Sequence, residues 1–389
     1  MIFQNFGFNQ NYPVAATPAA TQYVYLCGYN FYKWDGTQLG TNSGGGIAKI
    51  GLDGVLDTTW TTNANPSTSQ VRFFAPQQGN MYADFRVGST RTFRKLDTTG
   101  TSVGSVTTTG GSIWGMSTLE GNDFVMITGD TTISYGGTTV KGVGKVKDDL
   151  TLDSTFTTNT GGSNGPNAFV NGSSVSSNRI GVLGNFTTWN GLSAYDRFVV
   201  LNYDGSRDTG FSRTGNFNGN CYGAVFIDNR WIVGGLFTTY NGVTQNRIIA
   251  FNTDGTVDST FTTNIGSGFN AGVYGIYPYS STQFVATGVF TTLNGVTQNR
   301  IALINSDGTI PSQPFGTGLN NGAAIVGVDA SGKYYLTCSP PITTYNTSNS
   351  ANNFFALNTD GTINTSFTTG NGMQTTTNTV SDAGSMYVR

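Results

Sequence analysis

Apolar residues in this chain fall in short runs and show no helical spacing. The stretch "YGIY" (274–277) is a short apolar run, and "QFVATGVFTT" (283–292) is a longer one. Asn294-Gly295 follows, a dipeptide suited to a two-residue hairpin turn because both of its positions take positive φ. "RIALIN" (300–305) supplies a third apolar run, and Asp307-Gly308 marks a second turn. The neighbouring stretch "TVDSTF" (256–261) is predicted to be a short fourth strand. The pattern therefore predicts a four-stranded antiparallel meander of about fifty residues with no helix in it.

That meander recurs. The octapeptide "NGVTQNRI" stands at 241–248 and again at 294–301, 53 residues apart. Related Asp-Gly segments occur at 51–60, 203–211, 252–261, 305–315 and 358–367. A degenerate copy at 147–156 is read with Asp149 in the glycine place, and a weaker copy lies at 96–105. A second signature, Gly-x-Phe-Thr-Thr-x-Asn-Gly, stands at 184–191, 235–242 and 288–295, with decayed forms at 28–36 and 340–347. Four-stranded units at this period are expected as blades of a β-propeller, because one blade cannot bury both its faces alone. The expected fold is all-β, a seven-bladed propeller over 22–389 with an extended arm over 1–21. The C-terminal stretch 377–389 is expected to join the blade that the N-terminal stretch 22–28 begins, with an overlap at its second strand.

Composition fits an ordered β-rich chain. Charged residues make up 10% of it and the net charge is -2, so neither a nucleic-acid face nor a polybasic membrane patch is expected. Apolar residues make up 37%, with 26 Phe and 18 Tyr, too rich for a disordered chain despite 54 Gly. There is no histidine, which removes the commonest general base and metal ligand. The cysteines Cys27, Cys221 and Cys338 have no disulfide or zinc spacing and are expected to be small buried side chains. No apolar run reaches membrane-spanning length, and the N-terminus lacks the basic and apolar regions of a signal peptide.

The pattern F-T-T-x-N-G…N-R-I-x-x-x-N-x-D-G-T-x-D-x-x-F, best preserved over 184–315, resembles the delta-60 repeat family of β-propellers. That resemblance implies a tailed-phage structural protein, in the tail, the head–tail connector or a decoration. It would be made in the host cytoplasm and docked to other virion proteins. The alternative is a receptor- or glycan-binding propeller on the virion, serving host attachment.

Four sets of residues are candidate sites. Asp57, Asp153, Asp208 and Asp258, with Asn364, recur one per blade; they are read as turn caps and not as metal ligands, since calcium needs six or more converging oxygens. Arg197, Arg247 and Arg300 are expected to pair with an aspartate or a carbonyl, against the alternative of an anion-binding ring. The variable residue of the second signature is Trp34, Trp189, Tyr240, Leu293 or Tyr345. Strand alternation places it opposite Phe237 and Thr239, on a rim that would be a surface-contact site for glycan or a neighbouring subunit, against the alternative of inter-blade packing. Phe3, Phe6, Phe8 and Tyr12 make the arm apolar, and it is expected to dock on a partner subunit or across the disc. No catalytic constellation and no cofactor are expected: the inner-strand runs carry no acid, and Glu120 is the one glutamate.

Overall fold

The computed structural model describes residues 23–27, 33–39, 46–64, 70–77, 80–87, 90–111, 113, 115–119, 123–160, 170–176, 178–190, 196–321, 325–329, 331–337, 342, 344–346, 348–349, 354–370, 373–374 and 385–388. The arm residues Phe3, Phe6, Phe8 and Tyr12 lie outside these, as does Cys338. The described residues fall into two compact units, one over Thr109–Gln313 and the other over the described parts of Asn11–Thr108 and Pro314–Arg389. Among the described residues the strand pairs are antiparallel.

In the first unit, four groups of antiparallel strands follow one another along the chain. One is built from Gly115–Thr118, Phe124–Tyr135 and Thr138–Val146. The next three each order three strands consecutively: Val170–Ser176, Arg179–Gly184 and Phe198–Asn202; Cys221–Ile227, Arg230–Gly235 and Ile248–Asn252; Val273–Pro278, Gln283–Gly288 and Ile301–Asn305. The second unit holds two more of this type. Ile325–Val328, Tyr334–Thr337 and Phe354–Leu357 form one. The other is shared by the two ends of the chain: Ser385–Val388 pairs with Tyr23–Cys27, which pairs with Ile47–Gly51. The C-terminal segment thus supplies a first strand and the N-terminal segment a second. The expected overlap of the two segments does not arise among the described residues.

Four strands per repeat is corrected in most of the chain. After the Asp-Gly turn, Val257 makes only an isolated bridge to Phe251, and Ser259–Ile265 is an α-helix. The reason is local. The Asp258 side chain accepts from the Phe261 amide (3.0 Å) and so caps the helix, while Phe261 and Ile265 on one of its faces enter the core. Ser154–Asn159 repeats this with Asp153 as cap, and Thr58–Ala64 with Asp57 bonded to the Trp60 amide. A helix of six or seven residues, under two turns, shows too few apolar residues to leave a periodic trace. The repeat that has lost the Phe-Thr-Thr signature is the one with a full fourth strand: Gln70–Gln77, Asn80–Val87, Thr90–Leu96 and Ser102–Thr109.

Both faces of the three-stranded sheets over 179–305 are buried. Along Ile248–Asn252, Ile248 and Ala250 pack with Phe284, Ala286 and Ile304 of the following sheet, whereas Ile249 and Phe251 pack with Phe198 and Val200 of the preceding one. Burying one such side chain is worth about 1.5–3 kcal/mol. Gly234 permits this approach, since a Cβ there would lie 2.7 Å from Val273 Cγ1.

Each Asp-Gly turn is seated on the previous repeat. Gly308, at φ 86°, packs where a Cβ would come 2.5 Å from the Phe261 carbonyl oxygen. Gly205 packs the same way over Phe156, and Gly255 over Ser212. The turn carbonyls are bonded too: Asn264 Nδ2 donates to Asp307 O (3.0 Å), Asn159 Nδ2 to Asp204 O (2.9 Å) and Asn63 Nδ2 to Thr99 O (2.9 Å). In the degenerate copy the assignment of Asp149 to the glycine place is corrected. Asp149 is the turn aspartate, accepting from the Thr151 amide (2.9 Å), and Leu150 takes the glycine place at φ 68°.

Gly308→Ala is expected to cost about 1–3 kcal/mol through left-handed strain and the blocked contact. Gly295→Ala, at a hairpin tip with open space around it, should cost only about 1 kcal/mol. Urea unfolding of the two variants checks the order. A second expectation concerns acid. The turn aspartates Asp149, Asp254 and Asp360 are held below the usual carboxylate range by the hydroxyls of Thr151, Thr256 and Thr362, and then by the backbone amides of the same threonines. Their folded pKa is depressed, so their contribution is complete above the unfolded value of about 3.9 and is lost as pH falls through the folded value. The urea midpoint should hold from pH 7 to about 5 and drop below about 4. Replacing these aspartates by asparagine, which keeps the acceptor, should flatten that drop.

Candidate functional site

The second signature builds a separate two-stranded flap between the second and third strands of its repeat. Thr239–Tyr240 pairs with Val243–Thr244, and Thr292–Leu293 with Val296–Thr297. The turn residues Asn294 (φ 48°) and Gly295 (φ 77°) take the left-handed geometry read from the sequence. An asparagine just ahead of the first strand holds the flap. Asn270 Oδ1 accepts from the amides of Thr291 (2.9 Å) and Thr292 (3.0 Å), and its Nδ2 donates to Thr291 Oγ1 (2.8 Å). Asn218 repeats this with Thr238 and Thr239, and Asn320 bonds the Thr344 amide. This clip was missed in the sequence; its only trace is a recurring Phe-Asn or Leu-Asn pair at 217–218, 269–270 and 319–320.

The exposed aromatic rim is corrected. Trp34, Trp189, Tyr240, Leu293 and Tyr345 are all buried, none more than 5% exposed. Alternation fails because the chain bends between Gly235 and Thr239, where the asparagine clip pulls it out of strand geometry, so Phe237 and Tyr240 both turn inward. Each side chain then has internal work. Tyr240, Leu293 and Tyr345 bridge through their backbones to Phe217, Phe269 and Leu319. Trp34 Nε1 donates to Gly54 O (3.3 Å) and Tyr345 Oη to Gly361 O (2.7 Å), tying the flap to the Asp-Gly turn of the same repeat. Tyr135 does the same to Leu150 O (3.0 Å), identifying "SYGG" at 134–137 as a flap the sequence reading passed over.

The recurring aspartates serve their own repeats. Besides capping, Asp57 pairs with Lys49 (3.0 Å), Asp153 with Lys145 (3.2 Å), Asp208 with Arg179 (2.8 Å) and Asp258 with Arg230 (3.2 Å). Asn364 accepts from the Ser366 amide (3.1 Å). Among the described residues no three His, Cys, Asp or Glu side chains gather as metal ligands. Cys27 and Cys221 are buried, and burial pushes both thiols up.

Arg197, Arg247 and Arg300 all stand at positive φ, 59°, 70° and 65°. Their backbones form one element: Arg247 N donates to Phe237 O (2.9 Å) while Gly235 N donates to Arg247 O (3.0 Å), and the other two repeat it. The Arg197 guanidinium bonds the Asp196 carboxylate and the Phe217 carbonyl, as the pairing expectation had it. Arg247 instead lines a groove of about 290 Å³ with Thr238, Asn246, Ser267, Asn270 and Thr292. This groove was not legible in the sequence, because it forms between two successive repeats.

Asn270→Ala removes three hydrogen bonds of the clip, and an expected loss of about 2–3 kcal/mol should follow from the freed amides. Tyr345→Phe leaves one buried carbonyl unmet and should cost about 1–2 kcal/mol. Thermal unfolding of both variants checks that these residues hold the fold.

The chain is similar to known proteins in part of its sequence and in its fold. The profile of a family described as "Domain of unknown function (DUF5122) beta-propeller" matches residues 228–261 and 285–310. No curated protein matches the chain in sequence. Among solved structures, a candidate 6-phosphogluconolactonase of Bacteroides fragilis is 11% identical, with 96% of this chain and 99% of that one covered and a TM-score of 0.47. A nidogen–laminin complex chain is 10% identical, with 94% and 98% covered and a TM-score of 0.37. YCF48 bound to a D1 peptide is 9% identical, with 75% and 85% covered and a TM-score of 0.37. The described residues form antiparallel sheets with three short helices, and two stretches of the chain match the profile of a β-propeller family.

Proposed function

We propose that the chain is a seven-bladed β-propeller acting as a rigid docking and display module, a non-enzymatic structural component of a bacteriophage particle. One observation carries the rigid-scaffold part. The polar residues that recur in the repeats are spent on joining parts of the fold: aspartates cap helices, asparagines clip flaps, and helix-end asparagines bond the turn of the next repeat. What the template leaves outward is its flap tips, where Val243 and Val296 stand 62% and 70% exposed at equivalent places. Repeated tips on a stiff body suit contact with other subunits better than turnover of a substrate. The particle assignment is supported by the resemblance of the repeats to propellers of tailed-phage structural proteins and by the Asn-, Gly- and Thr-rich composition. A glycan platform made of the five flap residues has no support, since those side chains are buried.

Immunogold labelling and mass spectrometry of purified particles test the assignment. The protein is expected in the particle at fixed stoichiometry, and its absence from intact particles overturns the reading. Electron cryomicroscopy of the isolated protein is expected to show a disc of seven blades; another blade number overturns that part.

A further inference from the structure

The junctions between successive repeats are built alike, and two of them differ at two side chains. At the earlier junction, Asp196 lies between two guanidiniums. Arg197 Nη1 bonds its carboxylate and the Phe217 carbonyl, and the fully buried Arg213 donates to Asp196 O (2.6 Å) and Oδ1 (3.2 Å). Asp196 Oδ2 also accepts from the Phe217 amide (3.2 Å). A carboxylate thus meets both guanidiniums internally, although Arg197 Nε itself has no hydrogen-bond partner.

At the next junction the template arginine stays and its counter-charge goes. Asn246 stands in the place of Asp196 and buried Ile265 in that of Arg213. Asn246 is fixed by Nδ2 donating to Ser267 O (2.9 Å), and its Oδ1 accepts nothing among the described residues. Arg247 keeps only a long bond from Nη1 to Phe237 O (3.4 Å), and its buried Nε has no hydrogen-bond partner. No carboxylate pairs with it among the described residues. Yet its charge is felt nearby: it opposes the upward push that burial and Tyr222 exert on the Tyr274 hydroxyl. A half-buried guanidinium with unmet donors is a site for an oxyanion, and its planar fork suits the two oxygens of a carboxylate.

We propose that the groove of Thr238, Asn246, Arg247, Ser267, Asn270 and Thr292 binds an acidic sugar, with Arg247 holding the carboxylate and the surrounding amides and hydroxyls meeting the ring hydroxyls. The lining favours a sugar over an acidic peptide. Five of these six side chains are neutral hydroxyls or amides and none is acidic. At about 290 Å³ the groove sits at the small end of ligand cavities, sized for one saccharide residue. Gly295 leaves open space at its edge. The inference stands independently of the particle in which the chain works.

The test titrates the full chain with glucuronate, glucose and N-acetylglutamate by calorimetry and ligand-observed NMR. Glucuronate is expected to bind saturably, with glucose and N-acetylglutamate each at least about tenfold weaker. Asn246→Asp rebuilds the internal counter-ion of the earlier junction while leaving Arg247 in place. It should weaken glucuronate at least about tenfold while the far-ultraviolet circular dichroism spectrum of the folded protein is retained. Arg247→Gln should do the same, and should also remove the salt dependence of binding. Glucuronate binding that both variants leave intact overturns the site. So does the lack of saturable binding to the parent protein. N-acetylglutamate binding as tightly as glucuronate overturns the sugar assignment in favour of an acidic peptide.

Discussion

Everything in this fold depends on sheets that are apolar on both faces. In Ile248–Asn252 the alternation of a strand does not separate core from solvent; it separates two cores, one shared with the sheet before and one with the sheet after. A three-stranded sheet of that kind has no stable existence alone. Order therefore comes from the joints. The glycine of each Asp-Gly turn, packed on the preceding repeat's helix or its equivalent, and the asparagine that bonds the turn carbonyl lie outside the sheets and set how one sheet lies on the next. The apolar contacts supply attraction without direction, and these polar contacts supply the direction.

The repeated template also explains which deviations matter. Pro311 stands where other repeats place their capping aspartate, and the Gln313 side-chain amide two residues on takes over the backbone pairing, accepting from Leu303 N (2.9 Å) and donating to Leu303 O (2.8 Å). That substitution preserves the joint. Leu150 in a glycine place is held by the hydrogen bond from Tyr135 to its carbonyl. The exchange of Asp196 and Arg213 for Asn246 and Ile265 is different in kind. It leaves a guanidinium without its counter-charge, in a groove that the fold itself creates. A chain built from near-copies acquires chemistry where one copy loses an internal partner that another keeps.

Much of the repeat was legible in the sequence because its signals are local. Asn294-Gly295 fixed a hairpin, since few other dipeptides take two positive φ angles in succession. The spacing of Asp254, Asp307 and Asp360 fixed the repeat length, and the recurring aspartates were readable as caps because a short carboxylate bonds the backbone beside it. The helix Ser259–Ile265 was not legible. Its apolar residues Phe261 and Ile265 sit four apart, a single pair that a short strand shows equally well. Tyr240 was placed on the wrong face because the clip from Asn218, twenty residues earlier, bends the chain between Phe237 and Tyr240.

The sequence by itself determined the turns, the strands, the repeat and the caps. Each depends on residues within a few positions of one another, acting through backbone geometry that any neighbour would leave unchanged. The tertiary structure alone decided which aromatic side chains are buried, which arginine lacks a carboxylate and where a groove opens. Those properties belong to pairs of repeats. Asn246 and Ser267 meet only when two sheets stack, and no pattern along the chain encodes the distance between them.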